Sequence, residues 1–197
     1  MLEVLLVRHA AHCDLDQRLS GRMPERPLSS EGKRHAAELA ASLCYEPLAE
    51  VHASPLDRAR ETAAAIGDVS GASVIVEAAL DEIDFGEWSG ARFEDLAGDP
   101  RWHDWNARRA IGCAPGGEAM ADAQERILSH LSATASRLPR STVAMVTHCD
   151  MIRSVLCAAT SRSLDAIHDF DVGPGSVHRV VCDGADVRMA QSSEVAA

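Results

Sequence analysis

Two short apolar runs constrain this chain more than any other feature, because each stops at a histidine. Val4-Leu5-Leu6-Val7 leads into Arg8-His9, and Val143-Ala144-Met145-Val146-Thr147 leads into His148. Runs of this length, rich in β-branched residues and apolar at consecutive positions, read as strands of a parallel or mixed sheet buried on both faces. Ligands of such sheets bind in the crevice beyond the strand C-termini. A guanidinium followed at once by an imidazole at that edge suits an anion held beside a nucleophile.

Strands and helices alternate along the rest of the chain. A polar loop spans 10–27. Ser29-Ser30-Glu31-Gly32 then opens a helix through Leu43, with Ala36, Ala37, Leu39, Ala40 and Leu43 on one face. A strand is expected over 50–53, followed by a helix to about Ile66 with Ser54 as N-cap and Pro55 at its first position. A further strand covers 73–76. Residues 86–117 hold all three tryptophans (Trp88, Trp102 and Trp105, read as packing residues) and form an irregular lid or side wall. A long helix is expected over 118–138. Asp150 is placed to cap a helix from Met151 to about Ala159, and a hairpin over 176–189 turns at Asp183-Gly184. This order predicts one domain over 1–197, a three-layer α/β/α sandwich around a mostly parallel mixed sheet.

Composition narrows the function. A net charge of −11 with no basic stripe disfavours nucleic acid, and no apolar stretch approaches the ~20 residues that cross a bilayer. The N-terminus lacks the pattern of a secretory signal, and the six cysteines form no close C-x-x-C pair. A cytoplasmic protein with reduced thiols, no cofactor and no metal site is the expectation. His35, His52, His103, His130, His168 and His178 lack metal-ligand spacing and read as surface or helix residues. His12 alone stands near enough to the Arg8-His9 edge to matter. An anionic ligand would be repelled by the overall field, so local cations must attract it.

Arg58 falls in the first turns of the helix after Ser54. If the two histidine-bearing strands are neighbours, Arg8, His9, Arg58 and His148 converge on one pocket. Guanidinium matches phosphate oxygens bidentately and stays charged at any working pH. A neutral imidazole nitrogen can attack phosphorus to give a phosphohistidine that water later cleaves.

At these residues the chain resembles the histidine phosphatase superfamily, also called phosphoglycerate-mutase-like. Leu6-Val7-Arg8-His9-Ala10 is similar to the family's opening Arg-His-Gly block. Ser54-Pro55-Leu56-Asp57-Arg58-Ala59-Arg60-Glu61-Thr62 carries the second block whole. Leu80-Asp81-Glu82-Ile83-Asp84-Phe85-Gly86-Glu87-Trp88, Gly116-Gly117-Glu118 and Val146-Thr147-His148 complete the set, in the family's order. The resemblance implies His9 as the phosphorylated nucleophile, with Arg8, Arg58 and His148 as the phosphate pocket. It implies Glu82 as proton donor to the leaving oxygen and then base toward water, a role that needs a carboxyl partly buried and raised in pKa. Three departures stand out. Ala10 replaces the glycine, Ala11 replaces a glutamate found in some family phosphatases, and the mutases' asparagine has no clean match. Gln17 or Ser20 is the candidate replacement, with Gly21 beside it.

The implied activity is a metal-independent phosphomonoesterase acting on a small phosphorylated metabolite, with oligomeric state open, a homodimer included. A phosphoglycerate mutase using the same phosphohistidine is the alternative. Arg108-Arg109 supports it, since a mutase must hold a carboxylate as well as a phosphate, whereas the chain's compactness opposes it. A phosphoprotein phosphatase or a non-catalytic phosphate-binding module is the third reading. The intact Arg8, His9, Arg58, Glu82 and His148 set argues against a dead site, and the 86–117 wall argues against an open cleft for proteins.

Overall fold

The computed structural model describes residues 1–190, so the last seven residues of the expected 1–197 domain lie outside it. Its strands are β1 (Leu2–Arg8), β2 (Leu48–Ala53), β3 (Ser73–Val76), β4 (Thr142–Thr147), β5 (Val177–Asp183) and β6 (Asp186–Met189). They form one sheet in the order β3-β2-β4-β1-β5-β6. β1 pairs parallel with β4, as β2 does with β3 and β4, whereas β5 runs antiparallel to β1 and β6. The two histidine-bearing strands are therefore neighbours, with Arg8 opposite Thr147. His9 and His148 leave the sheet side by side.

The helices are α1 (Ser30–Ser42), α2 (Asp57–Ser70), α3 (Phe93–Leu96), α4 (Pro100–Ala107), α5 (Met120–Arg137) and α6 (Cys149–Ala159). Alternation along the strands splits the core into two layers. Leu5, Val7, Ala144 and Val146 pack with Leu39 and Ala40 of α1 and with Ala59, Ala63 and Ile66 of α2. Val4, Leu6, Val143 and Met145 pack with Ile127 and Leu131 of α5 and with Ile152 and Val155 of α6. This is the expected α/β/α sandwich. Each valine, leucine, isoleucine or methionine among them, removed from water, contributes roughly 1.5–3 kcal/mol against chain entropy.

Two helix starts differ from expectation. Leu56, not Ser54, holds the N-cap position of α2, and its side chain caps nothing. The Ser54 Oγ accepts the Leu56 N–H at 3.3 Å but is otherwise committed to His148 and Asp81. At α6 the N-cap position belongs to His148, and Asp150 lies inside the first turn with its carboxylate held by Arg109. By contrast, Ser29 does cap α1, its Oγ accepting from the Gly32 N–H at 3.0 Å. Gly32 packs so closely that an added Cβ would stand 1.9 Å from the Ala11 carbonyl oxygen, which ties α1 to the loop that follows His9.

Residues 86–117 comprise a 3-10 turn at Gly86–Trp88 followed by α3 and α4. Trp88 and Trp105 are buried as packing residues, and Trp88 meets both other tryptophans edge-on. This block stands beside the strand ends as a side wall, contributing Phe93, Trp102, Asn106 and Arg109 to a cavity.

Candidate active site

A cavity of about 240 Å³ opens beyond the C-terminal ends of β1 and β4, with Arg8, His9, Arg58 and Glu82 in its lining. His9 is buried, and its ring lies 5.1 Å from that of His148 between centroids. The His9 Nδ1 is 2.8 Å from the Ala10 carbonyl oxygen, which can only accept, so Nδ1 carries the hydrogen. Nε2 is then the bare nitrogen. It accepts one long hydrogen bond of 3.3 Å from Arg58 Nε. Burial, and next the Arg58 charge, hold the His9 pKa well below its ordinary value, so the ring is neutral.

Arg58 is 2% exposed and has no carboxylate partner in an ion pair among the described residues. Its Nη2 donates to the Gly21 carbonyl oxygen at 2.7 Å and to His148 Nδ1 at 3.2 Å, while Nη1 is buried without any partner. Arg8 donates from Nη1 to the Val172 carbonyl oxygen at 2.6 Å, and its Nε is likewise unpartnered. A third orphan, Ser20 Oγ, belongs to a residue of the same lining. Arg109 Nε is a fourth. Buried donors are normally satisfied, so four unmatched groups around one cavity point to an acceptor-rich, anionic ligand.

His148 is fully buried and stands behind Arg58 instead of in the cavity lining. Since Arg58 can only donate to Nδ1, the hydrogen of His148 is on Nε2, 2.9 Å from Ser54 Oγ, and Ser54 in turn donates to Asp81 at 2.9 Å. The resulting chain fixes His148, and through it Arg58.

Glu82 is 8% exposed and accepts the Ile83 N–H at 2.9 Å. Burial, reinforced by the Asp150 charge, raises its pKa from 4.5 to about 7. Its loop is anchored by Arg22, whose Nε donates to the Glu82 carbonyl oxygen at 2.7 Å and whose Nη2 meets Glu118 at 2.7 Å. Arg126 also binds Glu118 and donates to the carbonyl oxygens of Ala79 and Asp81. The carboxyl is thus held on a rigid loop.

The structure brings Ser20 and Gly21 to the cavity, but not the other two residues expected to meet substrate. Gln17 is exposed on a turn outside it. Arg108 is exposed and folds back on Asp104, one helical turn earlier, with Nε 2.9 Å from Oδ1. Its neighbour Arg109 is the one that points inward. That side chain is 3% exposed, stacked 3.3 Å over the Trp105 ring, and paired with Asp150 at 2.9 Å. Burial alone would raise the Asp150 pKa, but Arg109 outweighs it and holds the carboxylate below its usual range.

Sequence reasoning also missed Asp16, Arg18, Phe93, Asn106, Arg153 and His168, which belong to the lining with Leu15, Leu19 and Phe85. They come from loops and helices without a motif, so only their tertiary placement reveals them. Trp102, expected only to pack, lines the cavity too. Cys149 is there as a half-buried thiol pushed up to about 11 by burial, which suits a filler and not a nucleophile. His52, expected near the surface, is fully buried on β2, 2.8 Å from Glu50 Oε2 and 3.0 Å from His130. Among the described residues no cluster of three His, Cys, Asp or Glu could hold a metal ion, and no helix is long and apolar enough to cross a membrane.

An α/β sandwich with two histidines and an arginine at its strand ends, and a second arginine on α2 beside them, defines a class, and comparison with known proteins agrees. The family model described as histidine phosphatase superfamily (branch 1) matches residues 4–194. Phosphoserine phosphatase 1 of Hydrogenobacter thermophilus is 31% identical over 176 residues, covering 86% of this chain and 82% of its own. A bifunctional protein of Mycobacterium tuberculosis is 30% identical over 95% of this chain, which spans only 50% of that longer protein. Among solved structures, YhfR of Bacillus stearothermophilus superposes with a TM-score of 0.87 at 26% identity, covering 100% of this chain and 98% of that one. The chain belongs to the histidine phosphatase superfamily. It is a phosphatase of that type.

Proposed function

We propose that this phosphatase hydrolyses a small phosphomonoester through a phosphohistidine on His9. The observation that carries the reading is the bare Nε2 of a neutral, buried His9 beside an Arg58 whose Nη1 has no partner. Arg8 and Arg58 take the phosphoryl oxygens, and His148 keeps Arg58 in place. The Nε2 lone pair attacks phosphorus as the bond to the leaving oxygen breaks, and Glu82 gives that oxygen its proton. Water, losing a proton to the Glu82 carboxylate, then attacks the phosphohistidine. The N–P bond breaks, inorganic phosphate leaves, and Glu82 is again protonated. Fixed guanidiniums that need no rearrangement as charge develops are worth several kcal/mol of barrier in such a water-poor site.

The cavity of about 240 Å³ suits a metabolite-sized ester. Phosphoserine is the first candidate, given the relative named for it. Arg108 and Arg109 lend the mutase reading no support, because Arg108 is held on Asp104 and Arg109 is neutralised by Asp150. The test is a panel of phosphomonoesters that includes phosphoserine and the phosphoglycerates, with and without a bisphosphate. Release of inorganic phosphate by the native protein and none by His9→Ala supports the reading. Isomerisation without phosphate release, or turnover surviving in His9→Ala, overturns it.

A further inference from the structure

Beside His9 stands a second cavity-lining imidazole that the reaction above does not use. His12 is 7% exposed, and its ring centroid lies 5.5 Å from that of His9. Its backbone is fixed on both sides, by a bridge to Leu28 and by the Leu15 N–H donating to its carbonyl oxygen at 3.2 Å. The Nδ1 faces the Asp14 N–H at 3.3 Å, and a backbone N–H can only donate. Nδ1 is therefore the acceptor nitrogen, and in the neutral ring the hydrogen sits on Nε2. That N–H has no acceptor among the described residues.

Neutrality is secured by the surroundings. Burial, and next the charge of Arg58, bring the His12 pKa down to about 4, against an opposing pull from Asp14 and with further help from Arg8 and Arg26. Burial first, and the Arg58 charge next, thus hold the ring neutral in the free enzyme, in one fixed tautomer. A neutral donor suits this place, since it adds no repulsion toward Arg8 and Arg58 in the free enzyme, whereas a carboxylate there would repel the phosphate.

We propose that His12 is a further catalytic residue, donating its Nε2–H to an oxygen of the bound phosphoryl group beside His9. It transfers no proton and forms no covalent bond. Its contribution is one hydrogen bond to an oxygen whose charge grows along the reaction, which requires no solvent to reorganise. The inference rests on the phosphohistidine reading of His9, and the experiment separates the two.

Two substitutions isolate the donor. His12→Phe keeps a ring and removes the N–H, whereas His12→Gln places an amide N–H near the position of Nε2. For an aryl phosphate, kcat/KM should fall about 10- to 100-fold in His12→Phe and recover to within roughly 5-fold of native in His12→Gln, with vanadate inhibition following the same order. A residue that only shaped the loop would show no such rescue by glutamine. Native-like kcat/KM in His12→Phe, or glutamine as poor as phenylalanine, overturns the proposal. His9→Ala in parallel decides the underlying reading, because turnover there removes the phosphohistidine whatever His12 does. If His12→Phe does not fold, long-range proton–nitrogen NMR of the native protein serves instead. The His12 Nε2–H resonance should shift when vanadate is added, and an unmoved resonance at saturation refutes the contact.

Discussion

Replacing Glu82 with glutamine should leave two linked signatures, one in stability and one in rate. Folding lifts this carboxyl's pKa from 4.5 to about 7, chiefly by burial. Between those values the folded protein holds a proton that the unfolded chain has released, so native stability must fall as pH rises through the window. Conversion at about 1.4 kcal/mol per pH unit gives a loss of about 2.5 kcal/mol between pH 5 and pH 8. Glu82→Gln keeps the shape and cannot ionise, so it lacks this slope. Urea unfolding of both proteins across that range measures it directly, as a difference in stability that moves toward the variant by about 2 kcal/mol or more as pH rises. The same proton is the one given to the leaving oxygen. Native kcat should therefore decline as pH rises through about 7. The variant should lose about 10²- to 10⁴-fold on alkyl phosphates but much less on an aryl phosphate whose leaving group needs little help. Parallel stability curves for the two proteins, or equal losses on both substrates, would refute a buried, proton-donating Glu82.

Other perturbations probe separate parts of the site. Asp150→Asn strands Arg109 as a buried, unpaired cation and should cost about 3–5 kcal/mol in chemical denaturation. It should also lower the Glu82 pKa, moving the decline in kcat to lower pH, because the Asp150 charge helps raise it. Gly32→Ala drives a Cβ into the Ala11 carbonyl oxygen and should destabilise the fold by about 1–3 kcal/mol, with lower activity because the loop after His9 shifts. An unchanged melting temperature would contradict that packing. Because arginines occupy the place where a metal could stabilise the phosphoryl group, prolonged dialysis against EDTA should leave turnover unchanged. Loss restored by a divalent cation would point to other chemistry.

The sheet and the inner site were legible because they obey local rules. Consecutive apolar residues fixed β1 and β4, and the histidine ending each run marked the same sheet edge. Register then did the rest, since Arg8 opposite Thr147 makes His9 and His148 neighbours without any further instruction from the loops. Helix starts were harder. Ser54 and Asp150 have ideal capping chemistry, yet tertiary partners (His148 and Asp81 for one, Arg109 for the other) claim their oxygens. Arg108 and Arg109 could not be told apart in sequence. Which of two adjacent guanidiniums turns inward depends on the Trp105 face and the Asp150 carboxylate, both remote from a local pattern. The same holds for His52, whose burial on β2 is made tolerable by Glu50 and His130.

The decisive measurement is a rapid-quench incubation with phosphate-labelled substrate, stopped in alkali to preserve an N–P bond and followed by peptide mapping. Label should reach at most one phosphoryl per chain, confined to the peptide containing His9, and vanish on the time scale of turnover. A phosphorylated serine or cysteine, or steady turnover with no protein-bound label detectable at any time point, would contradict a histidine nucleophile.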